Sequence, residues 1–402
     1  MKPIFTFCIF LVLVIAHSHG QTELRTMKKL PDTGQTGDYT KTFGEDSDYT
    51  INPMFYTTQN ALVATDTVTG LMWQRTDGGE MTVENARVYA DTAKIGGFTD
   101  WRLPTAQESF SLMNLDRMNP AMDSYVFPPS GAEYWWTSEV RSNDASRIWV
   151  TNAGGGIGAH LKTETKSAGG TKKIHARLVR NTSAPKVEVH FTDNGNGTIS
   201  DHFTGLMWQK VPATDTLTWE KAIQYAEKLS LAGFSDWRLP NIKELNSIND
   251  ESKNAPSVNT GLFSGVKSGR YWSSTTQKGQ TANAWFIDFQ NFGLTSYFAK
   301  SKGYYTICVR NLDKTNAISD ISPKSELKIF PNPSSSLVSI SWENERVAKM
   351  RIYNTSGILV AEQLTNGNSA EFDLGNIPSG LYLVALHDKS ELLIENGIFG
   401  RQ

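Results

Sequence analysis

One octet occurs twice in this chain. Residues 97–104 read GFTDWRLP and residues 233–240 read GFSDWRLP, identical at all but one position. The octets are the densest part of a longer duplication. TGLMWQ stands at 69–74 and again at 204–209, and TVENARVYADTAKIGGF (82–98) aligns with TWEKAIQYAEKLSLAGF (218–234). YWWTS (134–138) then matches YWSS (271–274), IWV (148–150) matches the AWFIDF stretch at 284–289, and the units close on LVR (178–180) and CVR (308–310). Most matching residues lie about 136 positions apart. That is far longer than a solenoid period, so two whole domains are expected rather than stacked repeats.

Local signals agree between the units. Trp219, Ala222, Ile223, Ala226 and Leu229 form a helical stripe, with Thr218 at the N-cap and Glu220 in the first turn. Gly233, or the pair Gly96 and Gly97, is expected to stop that helix. After each octet, Thr105 to Glu108 and Asn241 to Glu244 read as capping boxes that open a second helix. The remainder reads as short strands, with a tight hairpin turn in FTDNGNGT (191–198). Eleven Trp and 32 Gly suit a loop-rich chain, and the expected class is α+β.

Outside the repeats the composition changes. Residues 1–20 read as a signal peptide, with Lys2 before a short apolar run and small residues at Ser18 and Gly20. Residues 21–53 form a polar leader of uncertain order. The expected domains are 54–181 and 190–311, with linkers at 182–189 and 312–326. From Leu327 to Gln402, apolar and polar residues alternate between Gly, Asn and Pro turns, as in a small antiparallel β-sandwich. Cys8 leaves with the signal, so Cys308 is the one remaining thiol and no internal disulfide can form. No other stretch approaches the eighteen or so apolar residues of a membrane span. A net charge of -2 argues against nucleic acid as a partner.

The tail resembles the C-terminal sorting domain of the type IX secretion system of Bacteroidota. The carrying residues are Pro331, Asn332 and Pro333, then Tyr353 and Asn354 with Gly357, then Gly380, Leu381 and Tyr382. The resemblance implies export, with the secretion machinery as a partner, and a secreted or surface-attached product. TGLMWQ, DWRLP, YWSS and CVR in order resemble the DUF1566 family, the C-terminal domain of the Legionella collagen-like adhesin. That resemblance implies a C-type-lectin-like fold and adhesion to sulfated polysaccharide. Where family members often carry a Cys after the helix tyrosine, this chain has Ala226 opposite Cys308 in one unit, and Ala90 opposite Leu178 in the other. RLPTAQE (102–108) also resembles a signature of formylglycine-generating enzymes, but one thiol cannot supply their copper-binding cysteine pair.

No catalytic constellation emerges. The histidines His160, His175, His190, His202 and His387 do not repeat, and no GxSxG, HExxH or Cys-His metal spacing occurs. The acids Asp66/Asp201, Glu84/Glu220, Asp100/Asp236 and Glu108/Glu244 do repeat, and read as caps and corner ties. Within the octets, Asp100, Trp101, Arg102 and Asp236, Trp237, Arg238 are expected to be structural, with Asp236 and Arg238 tying the turn across a buried Trp237. Trp73/Trp208 and Trp149/Trp285 also read as core. Binding is expected instead in basic late loops, through Lys267, Arg270, Lys278, Lys300 and Lys302 in the second unit and Lys162, Lys166, Lys172 and Lys173 in the first. Cations there would pair with the anionic groups of a polyanionic polysaccharide. The expectation is a non-enzymatic, exported adhesion module without cofactor or metal; the alternative is an envelope scaffold with no glycan affinity.

Overall fold

A computed structural model describes residues 21–58, 60–166 and 173–312, and in the tail 327–331, 334–342, 347–354, 359–365, 367–375, 377–387, 389 and 393–401. The signal segment, Lys172, most of the second linker and the Asn332, Pro333 and Gly357 of the tail motif lie outside the described residues. Strand makes up 37% and helix 10%, so the molecule is mostly antiparallel β-sheet carrying short helices.

Leader strand β1 (Gln21–Arg25) precedes the first repeat. That repeat contains β2 (Tyr56–Thr58), β3 (Val63–Asp66), β4 (Leu71–Gln74), α1 (Val83–Thr92), α2 (Ala106–Ser111), β5 (Tyr134–Val140), β6 (Arg147–Asn152), β7 (Ile157–Leu161), β8 (Ile174–His175) and β9 (Val179–Asn181). The second contains β10 (Lys186–Asp193), β11 (Thr198–Asp201), β12 (Leu206–Gln209), α3 (Trp219–Glu227), α4 (Ile242–Ser247), β13 (Arg270–Thr276), β14 (Asn283–Asp288), β15 (Leu294–Ala299) and β16 (Val309–Asn311). The tail adds β17 (Lys328–Phe330), β18 (Leu337–Ser341), β19 (Lys349–Asn354), β20 (Leu359–Leu364), β21 (Ser369–Asp373), β22 (Gly380–His387) and β23 (Leu393–Arg401).

Each repeat builds two sheets. The orders are β2-β3-β4-β9 and β7-β6-β5-β8 in the first, and β1-β10-β11-β12-β16 and β13-β14-β15 in the second. Register repeats as well as topology: Tyr134 faces Asn152 and Val140 faces Ile148, while Arg270 faces Asp288 and Thr276 faces Ala284. In the tail, sheets β17-β18-β21 and β20-β19-β22-β23 enclose Val338, Ile340, Trp342, Ile352, Val384 and Phe399, which is the expected sandwich.

The two repeats share a core. One apolar cluster takes Trp73, Phe110 and Trp149 from the first and Trp208, Leu245 and Trp285 from the second, all at most 4% exposed. Like packs on like, with α2 against α4 and β7 against β15, and Ile157 N–H donates to Thr295 Oγ1 at 2.8 Å. This is the pattern of an isologous dimer interface fused into one chain. Each repeat also keeps a cluster of its own, around Trp101 and Trp136 in the first and around Trp237 and Trp272 in the second.

The leader, whose order its composition leaves open, is packed against the fold: Leu30, Asp32, Thr33, Gln35, Glu45 and Asp46 are buried, largely through polar contacts. One local expectation is corrected: the glycines do not end the helices. Helices α1 and α3 stop at Thr92 and Glu227, and the glycines sit at the tips of small hairpin turns, Ile95–Phe98 and Leu231–Phe234. Gly96 and Gly97 have φ of 63° and 88°, and Ala232 and Gly233 have 55° and 82°. Two successive positive φ values are what a type I′ turn requires.

Candidate functional site

Every charged residue of the two octets has a partner in the fold. Asp236 takes Arg310 of β16 in a two-point pair at 2.7 and 3.0 Å, and Asp100 takes Arg180 at 2.7 and 3.1 Å. The Arg310 guanidinium lies 3.9 Å from the Phe234 ring and Arg180 lies 4.0 Å from Phe98. Arg238 forks both oxygens of Glu244 at 2.6 Å, and Arg102 does the same to Glu108 at 2.6 and 2.7 Å. The expected Asp236–Arg238 tie is therefore replaced by two others. The capping-box glutamate offers Arg238 two acceptor oxygens, while the closing strand brings Arg310 to Asp236. Trp101 and Trp237 are buried as expected, and donate to the carbonyls of Ile95 and Leu231.

The other duplicated acids have local roles. Glu108 and Glu244 complete capping boxes with Thr105 and Asn241. Asp66 accepts from the Val68 and Thr69 N–H groups, and Asp201 from those of Phe203 and Thr204, closing the turn before each TGLMWQ. The glutamine of that motif carries a tie not foreseen from sequence. Gln209 donates to the Tyr225 hydroxyl and accepts from Cys308 N–H, joining helix to closing strand; Gln74 does so with Tyr89 and Leu178.

The candidate cations fall into three groups. Lys278 pairs with Asp116 of the first repeat at 2.8 Å. Lys300 lies 3.7 Å from the Trp219 ring and 4.0 Å from Glu45, and burial lowers its pKa. Both fasten the fold. Lys267 and Arg270, by contrast, are exposed on a tyrosine pair. Lys267 Nζ is 5.5 Å from the Tyr305 ring, and Arg270 reaches the Tyr304 hydroxyl at 3.1 Å while holding Asp288 at 3.3 Å. Lys302 is exposed two residues before Tyr304. In the first repeat, Lys166 and Lys173 face each other across a β-bridge, Lys173 stands 4.0 Å from Glu80, and Lys162 is half-buried in the turn after β7.

Residues 62–180 and 197–310, together more than half the chain, match the Lcl C-terminal domain. The chain belongs to that family. Residues 328–398 match the secretion system C-terminal sorting domain, which marks the protein for type IX export and attachment at the outer surface. A 77-residue segment is 34% identical to the ulvan lyase NLR42 of Nonlabens ulvanivorans, covering 19% of this chain and 14% of that protein. The chain thus spans a small part of that relative's length. PorZ, an essential surface component of the type-IX secretion system of Porphyromonas gingivalis, aligns over 64% of this chain and 29% of its own. Its identity is 14% and its TM-score 0.18. Among the described residues no helix is long and apolar enough to cross a membrane.

The two Lcl domains diverge beneath the late loops. In the first, Asp77 is buried and accepts from His175 Nδ1 at 2.8 Å, from Trp135 Nε1 at 3.1 Å and from Ser130, with Arg177 at 3.6 Å. Burial raises its carboxyl pKa, but these partners outweigh that and hold it at about 2. In the second Lcl domain, Tyr271 and Tyr305 replace Trp135 and His175, their rings 5.3 Å apart. The tyrosine face under Lys267 and Arg270 is therefore particular to the second domain.

Proposed function

We propose that the protein is a non-enzymatic surface adhesion module that binds polyanionic polysaccharide through the second Lcl domain. One observation carries this reading: Lys267 and Arg270 stand exposed against the rings of Tyr305 and Tyr304, with Lys302 beside them. Cations beside tyrosine rings suit a ligand that offers both sugar faces and anionic groups. Lys162, Lys166 and Lys173 of the first domain form a second, weaker patch in this reading; Lys172, outside the described residues, is assigned to it from sequence alone. A C-type-lectin-like arrangement, with binding in loops beyond the sheets, is part of the same proposal.

The test is retention on immobilised heparin over a salt gradient. Replacing Lys267, Arg270 and Lys302 by Ser should move elution to clearly lower salt, while Lys278→Ser should lower stability more than retention. Unchanged elution of the triple variant would remove the residue assignment. The second reading, an envelope scaffold, is favoured by the use of Lys278 and Lys300 as internal fasteners. It predicts a blank glycan array even at low salt.

A further inference from the structure

The late sheets of the two repeats differ on the face turned toward the helices. In the second repeat, Ala284 and Phe286 of β14 pack beneath α3 with Trp219 and Trp272, while Trp285 and Ile287 point the other way, into the core that the repeats share. Side chains alternate along a strand, and Ser296 and Phe298 of β15 stand opposite Phe286 and Ala284. Both therefore lie on the α3 side. Arg270 stands opposite Asp288 on that same side, its guanidinium 5.1 Å from the Phe286 ring. The leader lies against the far end of β13, where Asp46 and Glu45 accept from the hydroxyls of Thr275 and Thr276, and its Tyr49 ring lies 5.4 Å from the Arg238 guanidinium. It leaves Phe298 44% exposed and the Arg270 side chain 46% exposed. Phe298 joins neither apolar cluster of the second repeat, and among the described residues no ring stacks on it.

The first repeat closes the same strip with its own side chains. Tyr134 faces Asn152, Gly158 faces Val150 and His160 faces Ile148, which puts them where Arg270, Ser296 and Phe298 stand. The rings of Tyr134 and His160 meet at 4.7 Å, with room left by Gly158, and Glu164 holds His160 at 2.9 Å. That contact shows the two positions to be within side-chain reach of each other on one face. In the second repeat Arg270 turns back instead, with Nε on Asp288 at 3.3 Å and Nη1 on the Tyr304 hydroxyl at 3.1 Å. Its Nη2 has no partner among the described residues. The strip then offers an unstacked ring at one end and a guanidinium edge at the other, with Ser296 and Phe286 between them.

A single exposed phenylalanine is ordinary. This one is fixed on a strand beside a cation whose neighbouring acid is already satisfied, since Asp288 also accepts from Asn291 Nδ2 at 2.8 Å and from Gln290 N–H at 3.1 Å. Lys302, exposed in the turn from β15 to Tyr304, adds a second positive charge. A bare anion would use the cations and ignore the ring. A sugar uses both, because a pyranose presents a flat C–H face to an aromatic ring while its anionic substituent takes charge-assisted hydrogen bonds from arginine.

We propose that Phe298 is the stacking platform of a sugar subsite on this face. The unit recognised is a pyranose seated on that ring, with a carboxylate or sulfate, on the same or the adjoining sugar, at Arg270 Nη2. This rests on the reading of the second Lcl domain as the polysaccharide site, and adds to it the ring that separates a sugar polymer from any other polyanion.

The test is isothermal titration of the full chain with three probes: a heparin oligosaccharide, which is sulfated, an oligogalacturonate, which carries carboxylates alone, and inorganic polyphosphate, which has no sugar face. Phe298→Ser should weaken both saccharides about tenfold and leave polyphosphate unchanged. Phe298→Tyr, which keeps the ring, should bind all three as the unaltered chain does. The urea midpoint should not move in either variant, because the ring is exposed. A tenfold loss confined to one saccharide supports the platform and assigns its anion as sulfate or carboxylate. An equal loss on polyphosphate, or saccharide binding indifferent to Phe298→Ser in a chain that the Lys267, Arg270 and Lys302 replacements do weaken, overturns the platform and leaves the cation reading standing. No binding of either saccharide by the unaltered chain overturns both.

Discussion

Arg238 and Glu244 meet in a two-point ion pair at 2.6 Å in which neither side chain is more than 5% exposed. Removing one partner leaves a buried, uncompensated charge, which typically costs about 3–5 kcal/mol. Glu244→Ala should therefore destabilise the second repeat by about that amount in urea unfolding. Glu108→Ala should cost less, about 1–2 kcal/mol, because the Arg102 guanidinium left behind is 34% exposed and water can solvate it. Equal losses would contradict the asymmetric cover that the leader provides.

Ala232 sits at φ 55° in a turn where the first repeat has Gly96 at φ 63°. A β-carbon in the left-handed region costs roughly 1 kcal/mol relative to glycine. Ala232→Gly should recover part of this, raising stability by up to about 1 kcal/mol in the same assay. A loss would mean that the alanine methyl contributes packing that outweighs its strain.

The duplication, the helix starts, the buried tryptophans and the tail sandwich were legible because each rests on a short-range rule. Thr105 and Glu108 are three residues apart, and Trp219, Ala222 and Ile223 share a helical stripe. What stayed hidden depends on residues distant in sequence. Nothing near Asp236 announces that Arg310 will be its partner, and nothing in the leader announces that Glu45 will lie against Thr276. The order of the leader was illegible for a physical reason: low apolar content gives no sign of packing, whereas here hydroxyls and amides satisfy its buried carboxylates. Among the candidate cations, sequence supplied the residue type but not the neighbour. The neighbour separates the fasteners Lys278 and Lys300 from the exposed Lys267 and Arg270.

Cys308 is fully buried, with burial holding its thiol pKa well above the ordinary value. The thiolate is the reactive form, so the native protein should resist a thiol reagent such as dithionitrobenzoate at pH 8. Labelling should appear only as the second repeat unfolds in urea, with the same midpoint as loss of tryptophan fluorescence. Rapid labelling without denaturant would show that the closing strand opens locally.

His190 ties the leader strand to the second repeat, with Nδ1 2.9 Å from Glu23 and Nε2 3.4 Å from Asp201, its ring stacked 4.1 Å from Phe203. Burial alone would lower its pKa, but the bonds to Asp201 and Glu23 outweigh this and raise it to about 9 from 6.5. The folded state thus retains a proton that the unfolded chain releases above pH 6.5. The resulting stabilisation is complete below pH 6.5 and is lost as pH rises through 9, on the order of 3 kcal/mol in all. Thermal unfolding from pH 6 to pH 10 should show the native protein well above His190→Gln at the acid end, with the gap closing by about pH 9. A gap that stays constant across that range would show that the imidazole is neutral in the fold and that β1 is held by its backbone pairing alone.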